Sequence, residues 1–372
     1  MHIETLCLRA THAQDANAAA VAPPLYLSTT FEREPDNSLP YGYLYSRAAN
    51  PTRDLLEKAY CQLEGGEVAM AFASGQAATA TLFQCLTPND HVLIPDDAYY
   101  GTPTYLIEIL GQWGLSFSRV DMTDLSKIAA AIQPNTRLIW IETPSNPLLK
   151  ITDIQAVVTL AQARGVYVAC DNTWATPILQ RPLDLGCDVV MHSATKYFGG
   201  HSDLLSGALI FKRQDSWAEK ARKIQTLGGA VTSPFDCWLI LRGLKTLPLR
   251  VRQQSENANK IANFLTTLPQ VEAVHYPFLF AHQGYEIAQL QMNMGGAMFS
   301  IQMKEGKDAA LKVISRVKLF TRATSLGGVE SLIEHRATAE GVHSTSPPNL
   351  IRFSIGLEHP DDLMADLQQA IS

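Results

Sequence analysis

From Pro51 onward, short apolar runs alternate with amphipathic or turn-rich stretches. EVAMAFAS, HVLIPD, SFSRVD, RLIWIET, VYVACD, DVVMHS and GALIFK each hold a few apolar residues between polar ones, which is the length of a buried strand. RDLLEKAYCQLEGG predicts a helix stopped at Gly65 and Gly66, because glycine after the last periodic residue ends a helix. Strands alternating with helices predict a parallel sheet covered on both faces. Several runs end on a polar residue: Ser74, Asp96, Glu142, Asp171 and Ser193. Ligands of open α/β sheets sit beyond the carboxyl ends of the strands, so these residues are expected to converge on one site.

The pattern changes twice. TLGGAVTSPFDCWLILRGLKTLPLRVRQQSENANKIANFLTTL predicts a long helical connection, and VEAVHYP, AMFSIQM, KLFTRATS and LIRFSIGLE predict a smaller antiparallel sheet with flanking helices. The domain boundary is placed near Ser233–Pro234. Residues 1–50 are rich in Pro, Ala and Tyr without sustained periodicity; they could bury little alone and predict an extended arm. The expected fold is therefore α/β: an arm (1–50), a large mainly parallel-sheet domain (51–233), and a smaller C-terminal α+β domain (234–372).

Composition narrows the setting. With 372 residues the chain can support two or three packed units, and 46% hydrophobic against 18% charged residues is a globular balance. A net charge of -6 gives no basic surface for nucleic acid or anionic lipid. Six cysteines lie far apart without a CxxC pair, which reads as reduced, mostly buried thiols rather than disulfides or a zinc site. No export signal is visible in MHIETLCLRATHAQ, and no apolar run could cross a bilayer. The expectation is a cytoplasmic protein with no nucleic-acid, membrane or metal partner.

Candidate chemistry gathers around one lysine. VVMHSATKYFGGHSD sets Lys196 just past an apolar run, beside the hydroxyls of Ser193 and Thr195. Most lysines are solvated, but a desolvated amine has a lowered pKa and becomes a nucleophile and a base. Asp171 ends the VYVACD run, where it either caps the next turn or holds a positive group. Ser74, Gly75 and Gln76 join a strand to an Ala-rich helix; this is an ordinary turn or an anion cradle at a helix N-terminus. Tyr99 and Tyr100 sit in a loop, as buried tyrosines or as a stacking surface. Arg352 interrupts LIRFSIGLE, facing solvent or clamping a carboxylate. Taken together these are the things pyridoxal 5'-phosphate (PLP) asks of a protein: an imine lysine, a phosphate cradle, a partner for the pyridine nitrogen, and a ring-stacking surface.

APPLYLSTTF, YSRAANPTR, FASGQAA, ETPSNP, DNTWATP, HSATKYFGGHSD, RGLKTLPLR, SLGGVESL and LIRFSIGLE, in this order, resemble the Cys/Met-metabolism PLP enzymes almost end to end. The resemblance implies the aspartate aminotransferase-like fold. It assigns Lys196 to the imine, Asp171 to the pyridine nitrogen, and Gly75, Gln76, Ser193 and Thr195 to the phosphate; the family usually has Met at position 76. Tyr99 matches the ring-stacking tyrosine, which also helps deprotonate the incoming amine. Tyr45 and Arg47 match residues that reach the phosphate of a neighbouring subunit, which implies at least a dimer and, as is usual in the family, a homotetramer built from two such dimers. Asn146, Ser325 and Arg352 match positions near the cofactor hydroxyl and the substrate carboxylate.

Three departures bear on specificity. Tyr100 stands where the family has glycine, Thr324 where γ-synthases and γ-lyases commonly have Glu, and EHRATAEGVHSTSPPN replaces the usual MTH segment. β-Elimination needs one proton removed at Cα, whereas γ-chemistry needs another at Cβ. Thr324 therefore favours a C–S lyase acting on cystathionine, β-elimination ahead of γ-elimination or γ-synthesis. A PLP-binding protein without activity is the alternative of another class. No GxGxxG after a strand, Walker motif or HExxH is present.

Overall fold

The computed structural model describes residues 1–12, 18–340 and 346–372. Among them, seven strands build the larger sheet: β1 (Val68–Phe72), β2 (His91–Pro95), β3 (Ser116–Val120), β4 (Thr136–Glu142), β5 (Tyr167–Asp171), β6 (Val189–His192) and β7 (Gly207–Phe211), in the order β1-β7-β6-β5-β4-β2-β3. Each of the seven apolar runs forms one strand. From β6 to β3 all neighbours are parallel, but β7 runs antiparallel to both β1 and β6. Residues 193–206 contain no helix that could carry the chain back along the sheet, so β7 returns beside β6 in the opposite direction. Apolar clusters cover both faces, one around Ile139, Ile141 and Cys170 and the other around Trp140, Phe72 and Phe211. This explains why the strands read as continuous rather than alternating runs.

The arm is not wholly extended. α1 (Ile3–Ala10) buries Cys7 and Ala10 against α2 (Pro51–Glu64), so its few apolar residues find a partner the local pattern did not disclose. Asn50 caps α2 by accepting from the Thr52 and Arg53 N–H groups, and Gly65, at φ +80, ends it. Beyond α1 the arm leaves Val21, Leu27 and Tyr41 exposed. Residues 13–17 of the arm lie outside the described residues.

The smaller sheet holds β8 (Val271–His275), β9 (Met298–Met303), β10 (Thr321–Arg322), β11 (Leu332–His335) and β12 (Leu350–Ser354), in the order β10-β11-β12-β9-β8. It is antiparallel except for the parallel edge pair β10–β11. The sequence pattern missed β11 because two of its four residues are the polar Glu334 and His335, both buried. The expected long helical connection is two helices, Pro234–Leu244 and Leu247–Thr266, the second opening with Pro248 in its first turn. From that helix buried Arg250 donates to the Tyr197 carbonyl at 2.9 Å and to the Gly243 carbonyl at 2.8 Å, pinning the turn after β6. Five of the six cysteines are buried. Among the described residues, no helix is long and apolar enough to cross a membrane.

Candidate active site

The turns after β1, β4, β5 and β6 face the segment before β11 across a cavity of about 240 Å³. Gly75, Gln76, Tyr99, Asn146, Asp171, Ser193, Thr195, Lys196, Ser325 and Arg352 all line it. Ser74 and Glu142 join them, but Asp96 does not: it is ion-paired with Lys150 at 2.9 Å. Tyr45 and Arg47 lie elsewhere. The Arg47 guanidinium donates to the Thr226 carbonyl at 2.6 Å and sits 5.8 Å from the Tyr45 ring centre.

On the large-sheet wall, α3 (Gly75–Gln84) starts directly after β1, its first turn capped by the Ser74 hydroxyl accepting from Ala77 N–H. Gly75 and Gln76 thus present unpaired backbone N–H groups at the positive end of the helix dipole. A Cβ on Gly75 would meet Ser193 Cβ and Oγ at 2.9 Å, so only glycine lets the α3 start and the turn after β6 approach this closely. The Gln76 amide donates to the Gly101 carbonyl at 3.3 Å, which turns its side chain away from the helix end. Thr195 differs from Ser193: its hydroxyl donates to the Ser206 carbonyl at 3.0 Å and accepts from Ser206 N–H at 2.9 Å.

Asp171 ends β5, opposite Glu142 of β4 in the ladder. Burial raises its pKa, although Asp171 Oδ1 accepts from Thr173 N–H at 2.9 Å. A positive group brought against this carboxylate is strongly favoured, because burial without a cation is costly. Beneath it, Glu64 accepts from Asn172 at 3.0 Å and pairs with His192 at 2.6 Å, which fixes the backbone on both sides of the site. Tyr99 donates its N–H to Glu142 at 2.8 Å, and its ring stands edge-on to Tyr100 at 4.8 Å. The bulky residue at position 100 therefore buttresses Tyr99 and also borders the cavity. Burial, with Tyr100 adding to it, pushes the Tyr99 phenol up to about 12.

Lys196 stands between the two walls. Burial, reinforced by the Arg352 charge, lowers its amine from 10.5 to about 8. Its Nζ donates to Ser325 Oγ at 2.7 Å.

The facing wall is built on β11 and β12, where Glu334 lies directly opposite Arg352. Arg352 is 4% exposed, and its guanidinium donates to Glu334 Oε2 at 2.7 Å, Asn146 Oδ1 at 3.1 Å and the Ser325 carbonyl at 3.3 Å. Arg336 donates to the same Glu334 oxygen at 2.9 Å, and Thr324 donates to the other at 2.6 Å. Burial alone would raise Glu334, but Arg352, Thr324 and Arg336 together hold it below the usual carboxylate range. Sequence reading missed Glu334 and Arg336. The signal lay in the departing segment: Glu334 lies near the end of β11 and Arg336 opens the helix after it, so the two charges meet across that junction. Residues 341–345 of that segment lie outside the described residues.

The residues present fit PLP. A half-buried amine, a half-buried carboxylate and a helix N-terminus that tolerates no Cβ surround one cavity.

Comparison with known proteins gives the same picture over the whole chain. A family model described as Cys/Met metabolism PLP-dependent enzyme matches residues 4–372. The chain is 45% identical to a cystathionine gamma-synthase of Mycobacterium tuberculosis, covering 99% of this chain and 96% of the relative. It is 42% identical to a cystathionine beta-lyase of Coxiella burnetii, covering 100% of this chain and 98% of the relative. A crystal structure of cystathionine gamma-lyase from Lactobacillus plantarum, complexed with L-serine, superposes with a TM-score of 0.94 at 38% identity, covering 100% of this chain and 98% of that one. Synthase and lyases thus resemble it to a similar degree, which fixes the family and the cofactor but not the reaction. This chain belongs to the Cys/Met-metabolism family of PLP-dependent enzymes.

Proposed function

We propose that the chain is a C–S lyase acting on cystathionine-type thioethers, with β-elimination favoured over γ-elimination and γ-synthesis. The observation that carries this reading is the state of Glu334. Position 324 offers a hydroxyl instead of a carboxylate, and that hydroxyl is spent on Glu334. Glu334 itself is locked between two guanidiniums. An ionised carboxylate held in that way is a poor proton acceptor, and a phenol near 12, as in Tyr99, is a poor base at neutral pH. Lys196, near 8, is the base suited to the substrate side of the cavity.

Bound PLP supplies a sink for the electron pair left at Cα. The α3 N-terminus with Ser193 would hold its phosphate, joined by Thr195 once that hydroxyl turns from the Ser206 carbonyl; Asp171 would keep its pyridine nitrogen protonated, and Tyr99 would cover its ring. Arg352, Asn146 and Ser325 receive the substrate α-carboxylate. Lys196 takes the Cα proton, the Cβ–S bond breaks, and the thiolate departs with a proton. The remaining aminoacrylate hydrolyses to pyruvate and ammonia. Only one carbon is deprotonated, which matches a site with one suitable base.

Holoenzyme incubated with L,L-cystathionine tests the reading. Pyruvate with homocysteine is expected; 2-oxobutyrate with cysteine would make it a γ-lyase. Cystathionine formed from an activated homoserine and cysteine, without pyruvate release, would make it a synthase.

We also infer a cytoplasmic homotetramer of two dimers, in which Tyr45 and Arg47 complete the phosphate site of a neighbouring subunit. The half-exposed Tyr45, its distance from its own cavity and the buried thiols support this. Light scattering at the tetramer mass, with Tyr45→Ala and Arg47→Ala weakening PLP binding, is the expected result.

A further inference from the structure

We infer that Arg336 reads the far end of the substrate, selecting thioethers whose departing sulfur fragment carries a carboxylate. This rests on the C–S lyase reading and names the substrate class of that site.

Arg336 opens the short helix Arg336–Glu340 that follows β11, and it lines the same cavity as Lys196 and Arg352. Its side chain is only 3% exposed. Two of its N–H groups are committed, one to Glu334 Oε2 at 2.9 Å and one to Glu340 Oε1 at 2.7 Å. Among the described residues, its Nε is buried without a hydrogen-bond partner. A buried donor left unmade is costly, more so on a charged group. Fastening the segment 336–340 to β11 engages the two Nη groups and leaves Nε unexplained.

The charge pattern points the same way. Arg352 and Arg336 stand side by side and share a single oxygen of Glu334. An α-carboxylate needs one guanidinium, and Arg352, with Asn146 beside it, supplies that one. A second buried guanidinium on the cavity wall is suited to a second anion, and its planar fork matches a carboxylate better than an ammonium would. The sulfur fragment released from a cystathionine-type thioether carries such a group; an S-alkyl cysteine does not.

Two amino acids without a leaving group separate this inference from the lyase reading. L-2-aminopimelate has the length of S-carboxyethyl-L-cysteine and a distal carboxylate, whereas L-2-aminoheptanoate lacks that carboxylate. Binding of each to holoenzyme is followed by the change in the visible absorption of the cofactor. Wild-type protein should prefer aminopimelate by about 30-fold, the scale of one charged hydrogen bond. Arg336→Gln should bring the ratio near one while changing aminoheptanoate binding by less than about 3-fold, and Arg336→Lys should restore part of it. A wild-type ratio near one overturns the inference without any variant, and so does an equal weakening of both ligands in Arg336→Gln, the mark of a structural role. Pyruvate release from S-carboxyethyl-L-cysteine reports on the lyase reading alone: its absence with a preserved binding ratio would sink the reaction and leave the assignment of Arg336.

Discussion

Lys196 Nζ donates to Ser325 Oγ at 2.7 Å, and this bond links the turn after the large sheet's β6 to the wall carried by the smaller sheet. Ser325 holds a backbone φ of +111, a region that side chains other than hydrogen rarely occupy. Such a conformation costs on the order of 1–3 kcal/mol and persists only where its surroundings enforce it. The side chain that orients the amine is thus delivered by a strained backbone.

Two substitutions separate strain from hydroxyl. Ser325→Ala keeps the strain and removes the acceptor; Ser325→Gly removes both. The glycine variant should be the more stable of the two by about 1 kcal/mol, read by thermal unfolding. Both should lose turnover by about the same factor, because both lose the Lys196 contact. Equal stabilities would show that the backbone at position 325 carries no strain.

The Lys196 amine gives a pH dependence. Burial, with Arg352, favours the uncharged form, so its pKa falls to about 8. At pH 7 roughly a tenth of the amine is then free, against well under about 0.1% for an ordinary lysine. PLP capture by apoenzyme, followed by absorbance, should rise about tenfold per pH unit below 8 and level off above it. A rate still climbing at pH 10 would place the amine in a solvated setting.

Asp171→Asn keeps shape and hydrogen bonding but removes the charge. The variant should still bind PLP, with an altered visible spectrum, and turnover should fall by about 10²-fold or more. Unchanged turnover would remove the carboxylate from the chemistry.

Glu334→Gln should cost more in stability than its place at the edge of the site suggests. It leaves Arg336 and Arg352, with side chains 3% and 4% exposed, facing one another without their shared anion. Breaking a buried pair in this way costs about 3–5 kcal/mol. The Glu334 pKa is depressed in the fold from 4.5. Its stabilisation is therefore complete above the ordinary carboxylate pKa and fades as pH falls through the lower folded value. Urea titrations should show the gap between variant and wild type narrowing on acidification; a gap independent of pH would argue against the ion pairs.

Most of the large sheet could be read from the chain because its strands are buried on both faces and their apolar runs need no outside information. The residues of the large-sheet wall of the cavity were legible for a related reason: Gly75 and Lys196 follow such runs and Asp171 ends one. The facing wall was not. β11 carries Glu334 and His335 as buried polar residues, so its hydrophobic signal is diluted by the groups that make it useful. Arg336 looks like a surface charge until Glu334 and Glu340 are brought to it. The direction of β7 was likewise hidden, since apolar content does not encode strand polarity. α1 was missed because its burial depends on α2, some forty residues away in sequence.

The position of β7 has a consequence for synthesis on the ribosome. β1 emerges early, yet the strand that joins it to the sheet is β7, made well over a hundred positions later, and the bridge from Phe72 to Val231 on its other side comes later still. Gly207, the first residue of β7, packs directly on the backbone of Ser74 and Gly75, where a Cβ would collide. Until that strand arrives, β1 is not joined to the sheet, and the turn that opens α3 lacks the Gly207 backbone it packs on. A nascent chain ending before residue 207 therefore holds the lysine, the aspartate and the Gly75 turn without the sheet order that brings them together, and the competence to take up PLP arrives late, with one short antiparallel strand.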